Sequence, residues 1–373
     1  MRILTGIDVP FQPFGGSLVV CDDWYSNLPP DVEVRFLTLP NPTDKHWWHM
    51  EDVVFMDIEK TRTQEGFVDY VKRLHAVVEE QIAAFQPDII HAQHLNYGLS
   101  RAFAEATINI PKIGICHGTD VQAASSSDFF LDNMTYICDH MDLLLFSTPT
   151  MHKDFASLYT KKHTHKTCPL GIPQSYFTNP HGQIRFNGQG TLRVLYAGRL
   201  LEWKGADIAV DALAHVHHDM HLTIIGNEDQ SGYLQRMHHI VQTHKLGAKV
   251  TFIPQLPREQ LLTAFADYDL IVFPSRRLEA FSLTVVEAQA KGLPVIYHPG
   301  GGITDTVDDS GIRIEIATPE KLASVLDNIY LNPDILTETQ AKGYTNAKKY
   351  TLEHSRAMLL NMSEAVIAHS RTN

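Results

Sequence analysis

Cysteine is scarce in this chain of 373 residues: Cys21, Cys116, Cys138 and Cys168 are the only four, and no two form a CxxC pair. Spacing this wide speaks against a disulfide framework or a zinc site and fits a reduced, cytoplasmic setting. Long apolar runs are missing as well. The longest, such as Leu143–Phe146 and Leu270–Phe273, have the length of a strand, far short of the roughly 20 residues that cross a bilayer. The opening MRILTGIDVPFQPFGG has one Arg and a very short apolar stretch, and does not read as a signal peptide. Positive charge is also in short supply. Lys and Arg number 31 against 43 Asp and Glu, a formal net charge of −12, and the deficit runs through both halves. Nucleic acid is therefore excluded as a partner, because its affinity rests on Lys and Arg neutralising phosphates. Constitutive docking to an anionic membrane is disfavoured, with peripheral contact left open. A small anion in a local basic pocket remains compatible.

Three catalytic signatures are absent too. There is no GxGxxG after the first strand, no GxxxxGK[ST] and no GxSxG. Dinucleotide, P-loop and serine-elbow chemistry thus have no support. The 21 histidines show no HxxxH or HExxH pattern on a helix and read as scattered surface polarity.

What is present is a packable chain, 44% hydrophobic, whose length predicts two domains. Short β-rich runs alternate with helix-length stretches. Ile3–Thr5, Val34–Leu39, Ile89–Ala92, Ile113–Cys116 and Leu143–Phe146 read as buried parallel strands. Between them Gly66–Phe85 carries Val68, Val71, Leu74, Val77, Val78 and Ile82 near helical spacing. The polar stretch 179–191 reads as a linker. The alternation restarts with Leu192–Ala197, Leu222–Ile225, Val250–Ile253, Leu270–Phe273 and Pro294–Tyr297. Two doubly wound α/β domains, 1–180 and 190–350, are expected to face each other across a cleft. From Pro319 onward only helical patterning remains.

In open α/β sheets ligands bind beyond the carboxyl ends of the strands, and three features fall there. Gly15-Gly16-Ser17 follows the first strand. It reads either as a tight turn or as a place where backbone approaches an anion at a helix start. Ala197-Gly198-Arg199-Leu200 ends the second domain's first strand, with Lys204-Gly205 just after. Arg199 and Lys204 are either a solvated pair or a joint grip on one diphosphate. The third feature runs from Pro274 to Val295. Glu279 lies in a loop, Phe281–Leu283 open a helix, Glu287 sits on that helix, and Gly292-Leu293-Pro294 ends it. Two carboxylates flanking a helix N-terminus suit a long ligand with hydroxyls at both ends and phosphates between.

Glu279, seven residues and Glu287, followed by Gly292-Leu293-Pro294-Val295, resemble the EX7E signature of the retaining GT-B glycosyltransferases of family four, also described as glycosyl transferases group 1. Gly198–Gly205, Gly15-Gly16, His117-Gly118-Thr119-Asp120 and Gly300-Gly301 match in the same order. The resemblance implies a GT-B fold, two Rossmann-like domains across a cleft, with a closing helix of about 351–373 packed back on the first. It implies a metal-independent enzyme with no cofactor, moving a hexose-type sugar from a nucleoside diphosphate, UDP being the family's commonest, to an acceptor hydroxyl. Arg199 and Lys204 then bind the leaving diphosphate. Glu279 and the amides of Ala280, Phe281, Ser282 and Leu283 hold sugar and phosphate, Glu287 holds the ribose, and Ile253 to Gln255 face the base. Gly16, beside Gly15, approaches the phosphate, His117 lies near the sugar's C6 end, and Asp120 positions acceptor or loop.

Two departures stand out: Ser282 where the family has Gly, and Thr304-Asp305 where relatives often have Pro-Glu. Asp267-Tyr268-Asp269 spells DxD but precedes a buried strand and reads as structural. His163, His165 and Lys166 read as a solvated basic loop, with contact to an anionic acceptor as the alternative. Trp47-Trp48 either pack into the core or offer a sugar-stacking platform. The acceptor class stays open among carbohydrates, small metabolites and lipid-linked sugars. A sugar phosphorylase and a catalytically silent sugar-nucleotide binder are the competing readings.

Overall fold

The computed structural model describes every residue except 13–15, 42–46, 62, 179–183, 228–231, 278 and 373. It divides into two compact units, Met1–Leu170 with Leu352–Asn373, and Gly171–Thr351.

The first unit is built on β1 (Arg2–Pro10), β2 (Glu33–Leu39), β3 (Asp52–Phe55), β4 (Ile89–Gln93), β5 (Lys112–Ile115), β6 (Leu143–Phe146) and β7 (His165–Thr167). All pair in parallel in the order β3-β2-β1-β4-β5-β6-β7. Helices on both faces explain the unbroken apolar runs: each residue of β6 is buried. Helix Gln64–Phe85 turns Tyr70, Val71, Leu74, Val78 and Ile82 inward at helical spacing, while Val68, expected on that face, is exposed. Gln86 ends the helix in the left-handed region, its N–H donating to the Ile82 carbonyl.

The second unit repeats the plan with β8 (Leu192–Ala197), β9 (Met220–Ile225), β10 (Val250–Ile253), β11 (Leu270–Phe273), β12 (Val295–Tyr297) and β13 (Ile312–Arg313), in the order β10-β9-β8-β11-β12-β13. In each sheet the strand order reverses beside the first strand, at β1/β4 and at β8/β11. Such reversals open a crevice at the carboxyl ends of those strands.

The division between units falls at 170/171, ahead of the polar 179–191 stretch read as a linker. Residues 171–178 are tied to the second unit: the Ile172 amide donates to Tyr350 O, and the Tyr176 hydroxyl to Glu259 Oε1. The closing helix Leu352–Ser370 packs on the first unit. Trp24 Nε1 donates to Ser355 Oγ at 2.8 Å, and Arg356 reaches the carbonyls of Asp23, Trp24 and Asn27. All four cysteines are free and buried. Among the described residues no helix is long and apolar enough to cross a membrane.

Candidate active site

In the second unit the loops after β8 and β11 are stitched together. Gly205 has φ +76°, and a Cβ there would lie 2.1 Å from the Pro274 carbonyl oxygen. Only glycine lets the turn after Lys204 press against that loop. Arg276 locks the same junction, its amide donating to Trp203 O at 2.7 Å and its guanidinium forking onto buried Asp207 at 2.6 and 2.8 Å. Arg236 and Tyr233 also donate to Asp207. Burial alone would raise the Asp207 carboxyl, but the hydrogen bonds from Arg276 and Tyr233, and then the two guanidinium charges, hold it below the usual carboxylate range.

This stitching places Lys204 Nζ 2.8 Å from both carboxylate oxygens of Glu279, which is 5% exposed. Ser275 Oγ donates to Glu279 Oε1 at 2.8 Å, and His298 Nδ1 donates to the Ser275 carbonyl. Glu279 is further pinned by its backbone, which pairs with Gly301. Ser282 keeps φ +71° and ψ 79°, so serine occupies a left-handed position, and helix Leu283–Ala290 starts directly after it. The helix's first amides have no carbonyl within the helix to bond. Glu287, on the same helix, is buried and accepts from Arg258 Nε at 2.6 Å.

The other positions singled out from sequence fall as follows. Arg199 is exposed after β8, its carbonyl accepting from the Tyr196 hydroxyl. Ala280 is half-buried and Phe281 is buried against Tyr350. Ile253 O accepts from the Gly226 amide, and the Gln255 amide donates to Asn227 Oδ1. Asp269 is buried and fully occupied by Arg193, the structural role read for it. Ser275, Arg258, Asp207 and Arg276 escaped the sequence reading, because their partners lie 4, 29 and 69 residues away with no recurrent spacing.

In the first unit, His117 lies just past the end of β5 and Gln93 at the end of β4. His117 Nε2 is 2.8 Å from Gln93 Oε1. The direction of every bond behind this pair can be derived. Ser363 Oγ donates to the Leu359 carbonyl and so accepts from His91 Nε2. His91 Nδ1 therefore accepts from the Tyr25 hydroxyl, whose oxygen accepts from Gln93 Nε2. The same Gln93 nitrogen donates to Thr5 Oγ1, itself a donor to the His91 carbonyl. Gln93 Oε1 is thus an acceptor, His117 carries its proton on Nε2, and its Nδ1 presents a lone pair. Burial, then the nearby His94 ring, pushes His117 well below the usual histidine range, against an opposing pull from Asp120.

Asp120 is wholly buried. It accepts from the amides of Leu95 and His117 and from Cys116 Sγ. Gly16 opens helix Gly16–Tyr25, and an added Cβ would meet nothing within 4 Å among the described residues. Gly15 lies outside the described residues. Trp47 and Trp48 are half-buried and wrap the buried Phe11 ring at 4.9 and 5.0 Å, and Trp47 Nε1 donates to Phe11 O. His94, missed from sequence, sits at φ +66°, stacks on Tyr97 at 4.1 Å and lies 4.5 Å from the His117 ring. Its buried Nε2 has no hydrogen-bond partner among the described residues.

Residues 183–350 match the family described as glycosyl transferases group 1. The matched stretch lies within the second unit. A D-inositol 3-phosphate glycosyltransferase from Rhodococcus erythropolis is 29% identical to the chain over 180 residues, 46% of this chain and 40% of that protein. One from Acidothermus cellulolyticus is 28% identical over 302 residues, 76% and 63% of the two chains. The chain spans about two fifths of the length of the first such relatives. Among solved structures, sucrose-phosphate synthase from Thermosynechococcus elongatus superposes with a TM-score of 0.83 at 20% identity over 99% of both chains. Anabaena HepE in complex with UDP-glucose gives 0.80 at 17% identity over 98% and 100%. The chain, with its two parallel-sheet units, therefore has the GT-B α/β fold.

Proposed function

We propose that this chain is a retaining, metal-independent glycosyltransferase that moves a hexose from a nucleoside diphosphate, UDP first, to an acceptor hydroxyl. The observation that carries the reading is the Lys204–Glu279 pair at the switch point of a sheet in a group 1 glycosyltransferase unit. Cation and carboxylate neutralise each other there. A donor offers better partners for both: its diphosphate takes the ammonium, and its sugar hydroxyls donate to Glu279. Arg199 supplies a second charge for the diphosphate, the amides at the Leu283 helix start favour the same anion, and Glu287, steadied by Arg258, accepts from ribose hydroxyls.

In the reaction, the bond from C1 to the diphosphate oxygen breaks and a bond from C1 to the acceptor oxygen forms on the same face. The acceptor's proton passes to an oxygen of the departing phosphate. Glu279, tied to a lysine and a serine, acts as a hydrogen-bond acceptor and not as a nucleophile. The protein's part is orientation and stabilisation of charge as the diphosphate leaves. His117 offers its Nδ1 lone pair to a sugar hydroxyl, and Gly16 leaves backbone open to phosphate. Relatives named for D-inositol 3-phosphate and the chain's acidic first half favour a soluble acceptor.

Thermal melts with UDP, GDP and ADP at equal millimolar concentration, without metal, test the reading. UDP is expected to raise the midpoint most. Stabilisation by none of the three overturns it. Phosphate-dependent cleavage of a disaccharide without nucleotide would replace it with a phosphorylase.

A further inference from the structure

The first unit carries a second cluster of chemistry-bearing side chains, separate from those around His117. His152 lies on helix Pro149–Ala156, His163 in the following loop, and His165 is the first residue of β7. One ring nitrogen from each lies within 4.8 Å of the others. Each histidine is held from behind. Thr148 caps the helix by accepting from the Met151 amide, and Met151 and Phe155 bury its inner face. His152 packs edge-on to Phe146, the His165 ring stacks nearly parallel on the His152 ring at 3.6 Å, and the His165 backbone pairs in register with Leu144. His163 Nδ1 lies 2.9 Å from the Lys161 carbonyl, which can only accept. The proton of His163 is therefore on Nδ1, and its Nε2 carries a lone pair facing His152 Nε2 at 3.2 Å.

We propose that His152, His163 and His165 form a site for a borderline divalent cation of the zinc class, with a solvent molecule as fourth ligand. The 3.2 Å between the two Nε2 atoms is close to the spacing of about 3.3 Å between adjacent donors around a tetrahedral ion with bonds of about 2.0–2.1 Å. Without metal, His152 must place a proton between these nitrogens. The cation replaces that hydrogen bond, with the proton moving to His152 Nδ1. The Lys161 carbonyl does for His163 what outer-shell acceptors do in metal sites: it fixes tautomer and ring orientation. His165 is exposed, so its ring is free to swing off the His152 stack, whose parallel lone pairs do not meet at one point, and close on an ion arriving from solvent. The site would clamp the helix after β6 to β7, the last strand of its sheet. It is independent of the transfer reaction.

The test is calorimetric titration of the full chain with Zn2+, repeated with Co2+ while following its visible absorption. One ion per chain is expected, with the absorption of a four-coordinate nitrogen site. His165→Gln, at an exposed position, should keep the metal-free melting profile and weaken binding by at least the 10–100-fold that even outer-ligand changes cost. His163→Gln should do the same. No binding by the native chain, or binding unchanged in both variants, overturns the proposal.

Discussion

His117 gives its Nε2 proton to Gln93, and Gln93 can accept it because both of its amide hydrogens already go to Thr5 and Tyr25. Long-range proton–nitrogen NMR on the native chain should therefore find His117 neutral at pH 7 and protonated on Nε2. The Nδ1 tautomer would show that the relay from Ser363 runs the other way. Gln93→Glu, placing a carboxylate at the same atom, should move His117 upward in proton affinity.

The Lys204–Glu279 pair can be separated into stability and chemistry. Lys204→Met leaves a buried carboxylate with Ser275 as its remaining partner and should cost about 2 kcal/mol in denaturant unfolding. Lys204→Met with Glu279→Gln should recover most of that. Turnover should fall by about 10²–10³ in Lys204→Met and stay low in the double variant. Recovery of turnover with stability would assign the lysine a purely structural role.

Asp207 makes the second unit acid-sensitive. Its carboxyl is held below the usual range when folded, so its contribution is fully present above the unfolded value of about 4 and is lost as pH falls through the lower folded value. Chemical denaturation between pH 7 and pH 2.5 should show a fall that Asp207→Asn flattens. Parallel curves would remove Asp207 as the cause.

Ser282 holds a left-handed backbone that costs a side-chain-bearing residue roughly 1–2 kcal/mol. Glycine relieves this but adds about 0.4–1 kcal/mol of freedom to the unfolded chain. Ser282→Gly should thus raise stability by up to about 1.6 kcal/mol, read from the urea midpoint. A loss of stability would mean that the serine hydroxyl contributes more than the strain removes.

The fold was legible wherever burial on both faces of a sheet forces an unbroken apolar run, as in Leu143–Phe146 and Leu270–Phe273. The apolar edge strand Val250–Ile253 was legible too, but both edges of the first sheet were not. His165-Lys166-Thr167 is a strand of polar residues, and Asp52–Phe55 has no buried member, because an edge strand needs only one covered side. Glu279 and Lys204 could be found because glycine and helix-start geometry leave a sequence trace beside them. Arg258, Gln93 and His94 leave none: their significance lies in neighbours from other elements, Glu287 on a helix for Arg258 and His117 beyond β5 for the other two. His163 and His165 were read with Lys166 as a solvated basic loop for the same reason: His152, which completes the cluster, stands 11 residues before His163.

The closing helix has a consequence for the order in which the chain is made. Trp24 and His91 are buried, and their ring nitrogens bond to Ser355 and Ser363, which follow them by 331 and 272 residues. A ribosome completes the whole second unit before it delivers either partner. Until then the ring N–H groups of Trp24 and His91 lack the acceptors they have in the finished fold, so the half translated first is the half completed last.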